Sequence, residues 1–419
     1  MPGRRHGRVP DQAGRPRRPV GYRAPVSGLM CASIGSNEYG QALAPVERHP
    51  MQKLFIHSEA LDQGGYPATC PFKTTRAGKT CAIVTRMGLL DGPQTRKIAP
   101  RPLTRTELET FHTPAYLDAL QAAGAGTIAP EQALQAGLGT PDCPLFRGVY
   151  DYVALAAGGT LTGARAILAG TADVVFNPSG GFHHAQPDHA AGFCYVNDIV
   201  IACLALRAAG LRVLVLDIDV HHCDAVQDAF YASAEVMTVS LHESGHTLFP
   251  GTGFETETGT GAGRGYTLNF PLPVGTYDGA FERVFHQGAW PAIRRFDPDV
   301  IVLELGMDAL AGDPLAHLHL TNNVHALISE TVVGLGKPVL ATGGGGYQVR
   351  NTVRGWALCW SVLSGAHRLH DDPGLGLGGV MLENTDWAGG LRDRILIADG
   401  GYRDAIDREI DRLLAFHRA

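Results

Sequence analysis

The sequence lacks the features typical of secreted and membrane-spanning proteins, and its net charge is not that of a nucleic-acid-binding protein. Its eight cysteines stand singly with no Cys-x-x-Cys pair, which excludes a zinc knuckle and favours reduced thiols in the cytoplasm over a disulfide framework. No uncharged apolar run reaches the roughly 18 residues of a membrane span, because Arg207 and Arg212 interrupt the longest candidate. The net charge of −6 implies no attraction of the whole chain to nucleic acid or to anionic membranes.

The chain divides into an arginine-rich beginning and a globular remainder. Seven arginines fall in the first 23 residues, within a stretch rich in proline and glycine that has no apolar period and no signal-peptide core. We therefore predict a disordered basic segment over residues 1–50 and a single catalytic domain over residues 51–419. The arginines are compatible with a nucleic-acid-binding arm, but a translation start at Met51 is the simpler explanation.

Strand-like and helix-like runs alternate along most of the chain. Apolar runs predict strands at residues 53–57, 172–176, 211–219, 236–241, 265–270, 300–305 and 337–341. Helical spacing predicts helices at residues 150–168, 195–208 and 277–296. This alternation is typical of an α/β fold with a largely parallel sheet and helices on both faces. The polar clusters follow the strands, at the sheet edge where such folds bind ligands.

Asp217, Asp219 and His221 alternate along the end of a predicted strand, so we expect their side chains to share one face. Three polar groups on a buried strand are costly unless something satisfies them. Carboxylate and imidazole ligands suit zinc, and a catalytic zinc needs three protein ligands and one open position. A hydrogen-bonded polar core without a metal is the alternative.

Asp308 follows the predicted strand at residues 300–305 and should reach the same sheet edge. Taken alone, it would be an equally good helix N-cap before Ala309. Together with Asp219 and His221, it completes a predicted metal triad that leaves one open position for water. The predicted ligands are therefore Asp219, His221 and Asp308.

Two adjacent histidines and a tyrosine supply the predicted catalytic groups. His183 and His184 can both approach a water that the metal activates and exchange protons with it. Each imidazole needs an acceptor that fixes its tautomer, and Asp217 and Asp224 are the available carboxylates. Tyr347 follows four glycines, so a loop would present its phenol to a developing oxyanion. A phosphate-binding loop is excluded because no Lys-Ser/Thr follows these glycines.

Two further aromatic residues lie in loop-like sequence. Phe193 stands in Gly192-Phe193-Cys194, and Phe249 stands in Leu248-Phe249-Pro250. Two phenyl faces can form the walls of a slot for an aliphatic chain. Ordinary core packing explains either phenylalanine equally well.

Five motifs together resemble the zinc-dependent histone deacetylase family over about residues 54–365, and are closest to class I and bacterial acetoin-utilisation-type members. The motifs are Gly180-Gly181-Phe182-His183-His184-Ala185, Gly192-Phe193-Cys194-Tyr195-Val196-Asn197-Asp198, Asp217-Ile218-Asp219-Val220-His221-His222, Gly306-Met307-Asp308 with Ala311-Gly312-Asp313-Pro314, and Gly343-Gly344-Gly345-Gly346-Tyr347. The resemblance implies an arginase-like three-layer α/β/α fold. It also implies hydrolysis of Nε-acyl-lysine amides on proteins or peptides.

The resemblance assigns a role to each catalytic group. One zinc per chain would be held by Asp219, His221 and Asp308, as the residues themselves suggest. His184, paired with Asp224, would be the general base and later the general acid. His183, paired with Asp217, would act electrostatically, and Tyr347 would polarise the acyl carbonyl.

The resemblance also implies substrate and cation sites. Asp142 would grip the substrate backbone, the Gly192 carbonyl would accept the acyl-lysine N–H between Phe193 and Phe249, and Arg76 would lie near an acetate exit. Structural potassium would be bound at two sites. These would be formed by Asp217, Asp219, His221, Ser240 and Leu241, and by Phe230, Ser233, Val236 and Tyr266.

Departures from the family pattern leave other readings open. Cys223 and Ala225 replace two glycines, so a left-handed backbone there would strain Cys223 and disturb Asp224. Met307 replaces a smaller residue and would narrow the inner cavity, which leaves the acyl preference open.

An acetylpolyamine hydrolase, a two-manganese ureohydrolase and a non-catalytic acyl-lysine binder are the alternative functions. No membrane partner is expected, and the oligomeric state is left open.

Overall fold

The structure is a computed structural model that describes residues 51–366, 390–396 and 400–418. The predicted basic segment at residues 1–50 lies outside the described residues, and the single domain over residues 51–419 stays a prediction. In the described part of the chain, no helix has the length and apolar character needed to cross a membrane.

Eight parallel strands form one sheet in the order β2-β1-β3-β8-β7-β4-β5-β6. The strands are β1 (Gln52–Ile56), β2 (Thr95–Ile98), β3 (Ala172–Asn177), β4 (Val213–Asp217), β5 (Val236–Glu243), β6 (Thr267–Leu272), β7 (Val300–Glu304) and β8 (Val339–Thr342). Every residue of β4, β5, β7 and β8 is buried, as expected for parallel strands that are covered on both faces.

Helices cover both faces of this sheet. They are α1 (Thr75–Arg86), α2 (Arg105–Leu108), α3 (Pro114–Ala125), α4 (Pro130–Gln135), α5 (Val149–Leu168), α6 (Asp198–Ala208), α7 (Asp224–Phe230), α8 (Asp278–Val284), α9 (Trp290–Phe296), α10 (Asn322–Val333), α11 (Val349–Leu363) and α12 (Gly400–Arg418). A π-helical segment, Phe285–Ala289, joins α8 to α9.

The alternation of side chains along β4 separates two hydrophobic cores. Leu214 and Leu216 pack into the core shared with α1, α10 and α11, whereas Val213 and Val215 pack into the core shared with α3, α5 and α6. The result is a three-layer α/β/α arrangement with a parallel sheet in the middle, which confirms the predicted fold class.

The predicted elements at residues 53–57 and from residue 150 onward are present, although several begin or end up to three residues from the predicted bounds. The strand predicted at residues 211–219 ends at Asp217, and the helix predicted at residues 277–296 is divided by the π-helical segment. The sequence analysis did not identify β2, an edge strand in which Arg96 and Lys97 are exposed. A half-exposed edge strand lacks the continuous apolar run that marks the central strands.

Candidate active site

Four adjacent central strands present the predicted chemical groups from the loops at their carboxyl ends. In sheet order, β3 leads to His183 and His184, β8 to Tyr347, β7 to Asp308, and β4 to Asp219 and His221. Residues far apart in sequence therefore meet at one edge of the sheet.

The loop after β4 begins where the carboxylates of Asp217 and Asp219 accept hydrogen bonds from backbone N–H groups. Asp217 Oδ1 accepts the N–H of Asp219 at 3.0 Å, and Asp219 Oδ1 accepts the N–H of His221 at 2.9 Å. These local hydrogen bonds compete with the ladder of the sheet. The expectation that strand alternation gives Asp217, Asp219 and His221 a common face was therefore wrong, because Asp219 and His221 lie in the loop.

Asp219, His221 and Asp308 nevertheless converge, with one potential ligand atom from each within 4.8 Å of the others. His221 Nδ1 lies 3.0 Å from Asp219 Oδ1 and 3.1 Å from Asp308 Oδ2. The N–H groups of Gly345 and Val220 hold the remaining oxygens, Asp219 Oδ2 and Asp308 Oδ1, at 2.7 and 3.0 Å. Asp308 Oδ2 is buried and accepts no hydrogen bond. A buried carboxylate oxygen without a hydrogen bond, facing a second carboxylate and an imidazole, fits a divalent cation.

The two adjacent histidines pair with the two carboxylates that the sequence indicated. His183 Nδ1 lies 2.9 Å from Asp217 Oδ2, and His184 Nδ1 lies 2.7 Å from Asp224 Oδ1. The ring centroids of the histidines are 4.0 Å apart. Because Nδ1 of each ring is engaged, Nε2 is the atom that can exchange a proton with a substrate.

The surroundings shift the pKa values of the two histidines in opposite directions. Burial and the adjacent His183 lower the pKa of His184 to about 4, although Asp224 opposes this shift. Burial also opposes the charge on His183, but the carboxylates of Asp217 and Asp219 outweigh it and raise the pKa of His183 to about 9. One imidazole is thus suited to accept a proton and the other to carry positive charge.

A buried aspartate at the start of α6 fixes the loop that carries the histidines. Asp198 accepts the N–H of Gly181 at 3.0 Å, the N–H of Phe182 at 2.8 Å and the hydroxyl of Thr160 at 2.5 Å. The sequence analysis included Asp198 in a motif without giving it a role. Two of these three partners are backbone N–H groups, which leave no mark in the sequence.

Arg76 lies behind the glycine-rich loop. Its Nη1 and Nη2 donate to the carbonyls of Gly346 at 2.7 Å and Gly344 at 3.0 Å. Its guanidinium lies 4.5 Å from the ring centroid of Phe72 and 4.9 Å from that of Trp356. Arg76 is not among the described residues that line the small cavity beside Asp219 and His221, so the expected place beside an acetate exit stays a prediction.

Asp219 and His221 of the predicted metal triad and the two histidines border a narrow cavity of about 20 Å³, with room for about one water molecule. It is lined by Phe72, Gly180, Gly181, Phe182, His183, His184, Gly192, Phe193, Cys194, Asp219, His221, Gly344, Gly345 and Tyr347. Phe72, Phe182 and Cys194 were not predicted as site residues. Their apolar side chains resemble core residues in the sequence, and only the fold brings them to the cavity.

A tight turn places Gly192 and Phe193 at the cavity wall. Their φ angles are 54° and 65°, and Tyr66 Oη donates to the Phe193 carbonyl at 3.0 Å. A left-handed phenylalanine is strained, and such strain persists where the surroundings impose it. A Cβ on residue 192 would lie 2.5 Å from His184 Cδ2, so only glycine fits beside the histidine.

The other predicted substrate groups surround this turn. Asp142 Oδ2 accepts the N–H of Gly192 at 2.9 Å, and the Gly192 carbonyl lies 3.2 Å from Cys194 Sγ. The Phe193 ring lies 5.4 Å from the Tyr347 ring. The Phe249 ring lies 4.9 Å from the His184 ring and stays 47% exposed.

The residues predicted for the first potassium site lie on β4, on β5 and in the loop that follows β4. Asp217 and Ser240 are paired neighbours in the sheet, and Leu241 is the next residue of β5. Asp219 and His221 complete this group beyond the end of β4.

The second predicted potassium group surrounds the turn between α7 and β5. The carbonyl of Phe230 accepts the Ser233 N–H at 2.9 Å, and Ser233 Oγ accepts the Val236 N–H at 3.3 Å. Tyr266 precedes β6, and its carbonyl accepts the N–H of Thr238 in β5 at 2.9 Å. The structure brings these four residues close together, and their role stays a prediction.

Neither departure from the family pattern has the effect that we expected. Cys223 adopts φ −77°, so the expectation of a left-handed, strained backbone was wrong, and Asp224 keeps its contact with His184. The sulfur of Met307 points at Gly355 of α11, where a Cβ would lie 2.4 Å from it. Met307 is not among the residues that line the cavity. Its side chain occupies the space that a glycine leaves in the neighbouring helix.

Comparison with known proteins agrees with this geometry. The histone deacetylase domain matches residues 70–363. Histone deacetylase 8 of Danio rerio is 40% identical over 291 residues, which are 69% of this chain and 75% of that protein. The acetoin utilization protein AcuC of Bacillus subtilis is 36% identical over 327 residues, covering 76% and 84% of the two chains. A crystal structure of an HDAC homologue complexed with SAHA superposes with a TM-score of 0.78 at 31% identity, covering 88% of this chain and all of that one.

The match extends over well more than half of the chain, and it includes the strands and loops that carry the site. The structural match independently confirms the arginase/deacetylase fold that the motifs implied. The chain therefore belongs to the histone deacetylase family and is a deacetylase hydrolase.

Proposed function

We propose that this protein hydrolyses Nε-acetyl-lysine amides on proteins or peptides with one zinc ion per chain. The observation that carries the proposal is the convergence of Asp219, His221 and Asp308 beside two histidine–aspartate pairs at one edge of the sheet. Two carboxylates and one imidazole form a three-ligand set that suits a catalytic zinc.

A zinc ion held by these three residues would act as a Lewis acid toward water and the acyl carbonyl. His184 accepts a proton from the attacking water at Nε2, since its low pKa keeps it neutral and Asp224 holds its Nδ1. The same Nε2 then donates the proton to the leaving lysine amine. His183 contributes positive charge beside the developing oxyanion.

Tyr347 donates a hydrogen bond to the acyl oxygen as negative charge develops there. Burial raises the pKa of Tyr347 well above its usual value, so the phenol keeps its proton at neutral pH. A preformed donor in a site that excludes water stabilises such charge more than a solvated one does. Phe193 and Phe249 would flank the lysine stem, the Gly192 carbonyl would accept the amide N–H, and Asp142 would hold the substrate backbone.

Structural potassium is proposed from the resemblance to the family, and the cellular location is proposed from the free thiols. The first residue group named above for potassium would bind that ion structurally beyond the end of β4, and the second would bind it at the turn between α7 and β5. All seven cysteines in the described part of the chain are free thiols, which supports a reducing, cytoplasmic location.

Turnover of two substrate classes by the zinc-loaded chain tests the proposal. We expect a higher kcat/KM on an acetyl-lysine peptide than on acetylspermidine, because a polyamine site requires more acidic residues at its mouth than Asp142 supplies. His184→Ala and Tyr347→Phe should each lower kcat. A folded, zinc-loaded protein that cleaves neither substrate would refute the proposal, and a preference for acetylspermidine would favour the polyamine alternative.

A further inference from the structure

We propose that Asp313 is a positioning residue that acts through Tyr347, an inference that rests on the proposed function. Its carboxylate is buried between two loops. Oδ2 accepts the N–H of Tyr347 at 2.7 Å and that of Gln348 at 3.3 Å, and Oδ1 accepts the N–H of Leu315 at 3.0 Å. One carboxylate thus joins the loop that follows the metal ligand Asp308 to the backbone of the tyrosine.

The position of Tyr347 depends on hydrogen bonds to the backbone, because the four glycines before it have no side chains that could fix the loop. Gly344 and Gly346 adopt φ angles of 102° and 118°, which only glycine tolerates readily. Upstream, Asp219 Oδ2 accepts the N–H of Gly345 at 2.7 Å. Downstream, the Asp313 carboxylate holds the N–H of Tyr347 itself. The tyrosine is therefore fixed from both sides, by a metal ligand and by Asp313, while Arg76 holds the Gly346 carbonyl of the same peptide unit.

A purely structural account of Asp313 also exists. Tyr347 and Gln348 immediately precede α11, so the carboxylate also stabilises the N-terminus of this 15-residue helix. A helix cap alone would contribute to stability without affecting the chemistry. The two accounts differ in what happens to kcat when the carboxylate is replaced.

Asp278 provides a matched control, because it holds the N-terminus of α10 in the same way. Its Oδ1 accepts the N–H of Thr321 at 2.7 Å, and its Oδ2 accepts the Thr321 hydroxyl at 2.5 Å. Thr321 is the N-cap residue of α10. Neither Asp278 nor Thr321 is among the described residues that line the catalytic cavity.

The experiment compares D313N with D278N in the zinc-loaded enzyme acting on an acetyl-lysine peptide. We expect both variants to lower Tm. Only D313N should lower kcat, on the order of 10- to 100-fold, because a small displacement of a catalytic group has this cost. Its KM and zinc content should stay within about twofold of wild type. A D313N kcat equal to that of D278N would overturn the proposal.

A double-mutant cycle with Tyr347→Phe tests whether Asp313 acts through the tyrosine. D313N should change the residual turnover of Y347F by less than about twofold, measured by mass spectrometry after long incubation. Equal losses in both backgrounds would overturn the proposal. If D313N is too unstable to assay, D313E keeps the charge but moves it, and wild-type kcat in D313E would likewise overturn the proposal. Wild-type kcat in Y347F rejects the proposed role of Tyr347, whereas an impaired Y347F beside an unimpaired D313N rejects only the inference on Asp313.

Discussion

Replacing Gly345 with alanine should disable the proposed metal site without straining the backbone. Gly345 is not among the glycines with positive φ, so alanine can adopt its conformation. The added Cβ would lie 2.0 Å from Asp308 Oδ2 and 2.7 Å from Asp219 Oδ2. One methyl group would therefore enter the space between two carboxylates of the predicted triad.

The size of the effect follows from these distances. Real Cβ contacts below 3.0 Å are essentially unknown, so Asp308 Oδ2 must move by about 1 Å or more. Zinc ligands tolerate only about 0.2 Å of displacement. We expect zinc affinity to fall at least on the order of 10- to 100-fold. We also expect kcat/KM to fall by about 100-fold, or about 2.7 kcal/mol of lost transition-state stabilisation.

The assay combines zinc titration against a competing chelator with turnover of an acetyl-lysine peptide. Gly400→Ala is the matched control, because a Cβ there meets nothing within 4 Å at the start of α12. It should behave as wild type in both measurements. Wild-type zinc affinity and turnover in a folded Gly345→Ala protein would refute the reasoning, since Asp219 and Asp308 would then not bind the catalytic ion.

Three further predictions concern the histidines and the metal. Asp224→Asn removes the carboxylate that holds His184 Nδ1 at 2.7 Å and should lower kcat on the order of 100-fold with little change in KM, as steady-state kinetics would show. Burial lowers the pKa of His112 to about 4, so unfolding at mildly acidic pH binds a proton. The free energy of unfolding therefore decreases as the pH is lowered. This group should contribute a loss of about 2 kcal/mol between pH 7 and pH 5, and His112→Gln should flatten the measured pH dependence of denaturant unfolding. Removing the metal with a chelator should lower Tm, because zinc at a thousandfold excess over Kd contributes about 4 kcal/mol of stability. At the same zinc concentration Gly345→Ala should gain only about 1.4 to 2.7 kcal/mol, as a 10- to 100-fold weaker affinity implies.

The meeting of the predicted catalytic groups at one place could be predicted from the sequence, because parallel strands end at one edge of the sheet. Asp308 and Tyr347 each follow a buried apolar run, and His183 follows another, so their meeting place was implied by the alternating pattern. The order of the strands was not implied. Nothing in the sequence shows that β8 lies between β3 and β7, although this neighbour relation brings Tyr347 beside the histidines.

Residues that act on the backbone escaped the sequence analysis. Asp198 and Asp313 hold N–H groups of the histidine and tyrosine loops, and any residue except proline can offer such a partner. The expectation of a strained backbone at Cys223 was wrong for a related reason. Local hydrogen bonds, such as that of the Asp224 N–H with the His222 carbonyl at 2.9 Å, decide the turn and are invisible in the residue types.

Three carboxylates of the site each accept backbone N–H groups and also face a histidine of the site. Asp217 uses Oδ1 for the N–H of Asp219 and Oδ2 for His183. Asp219 gives Oδ2 to the Gly345 N–H, and Asp308 gives Oδ1 to the Val220 N–H, so one oxygen of each faces His221 Nδ1. Each carboxylate is therefore aimed by the backbone before any ion binds, which limits reorganisation during the reaction. Asparagine in place of Asp217 or Asp308 can keep the backbone hydrogen bond only by turning its NH₂ group toward the histidine or the cation, so these two variants should fold yet lose activity. Asparagine in place of Asp219 must in addition give up one of the two backbone N–H groups that its oxygens accept.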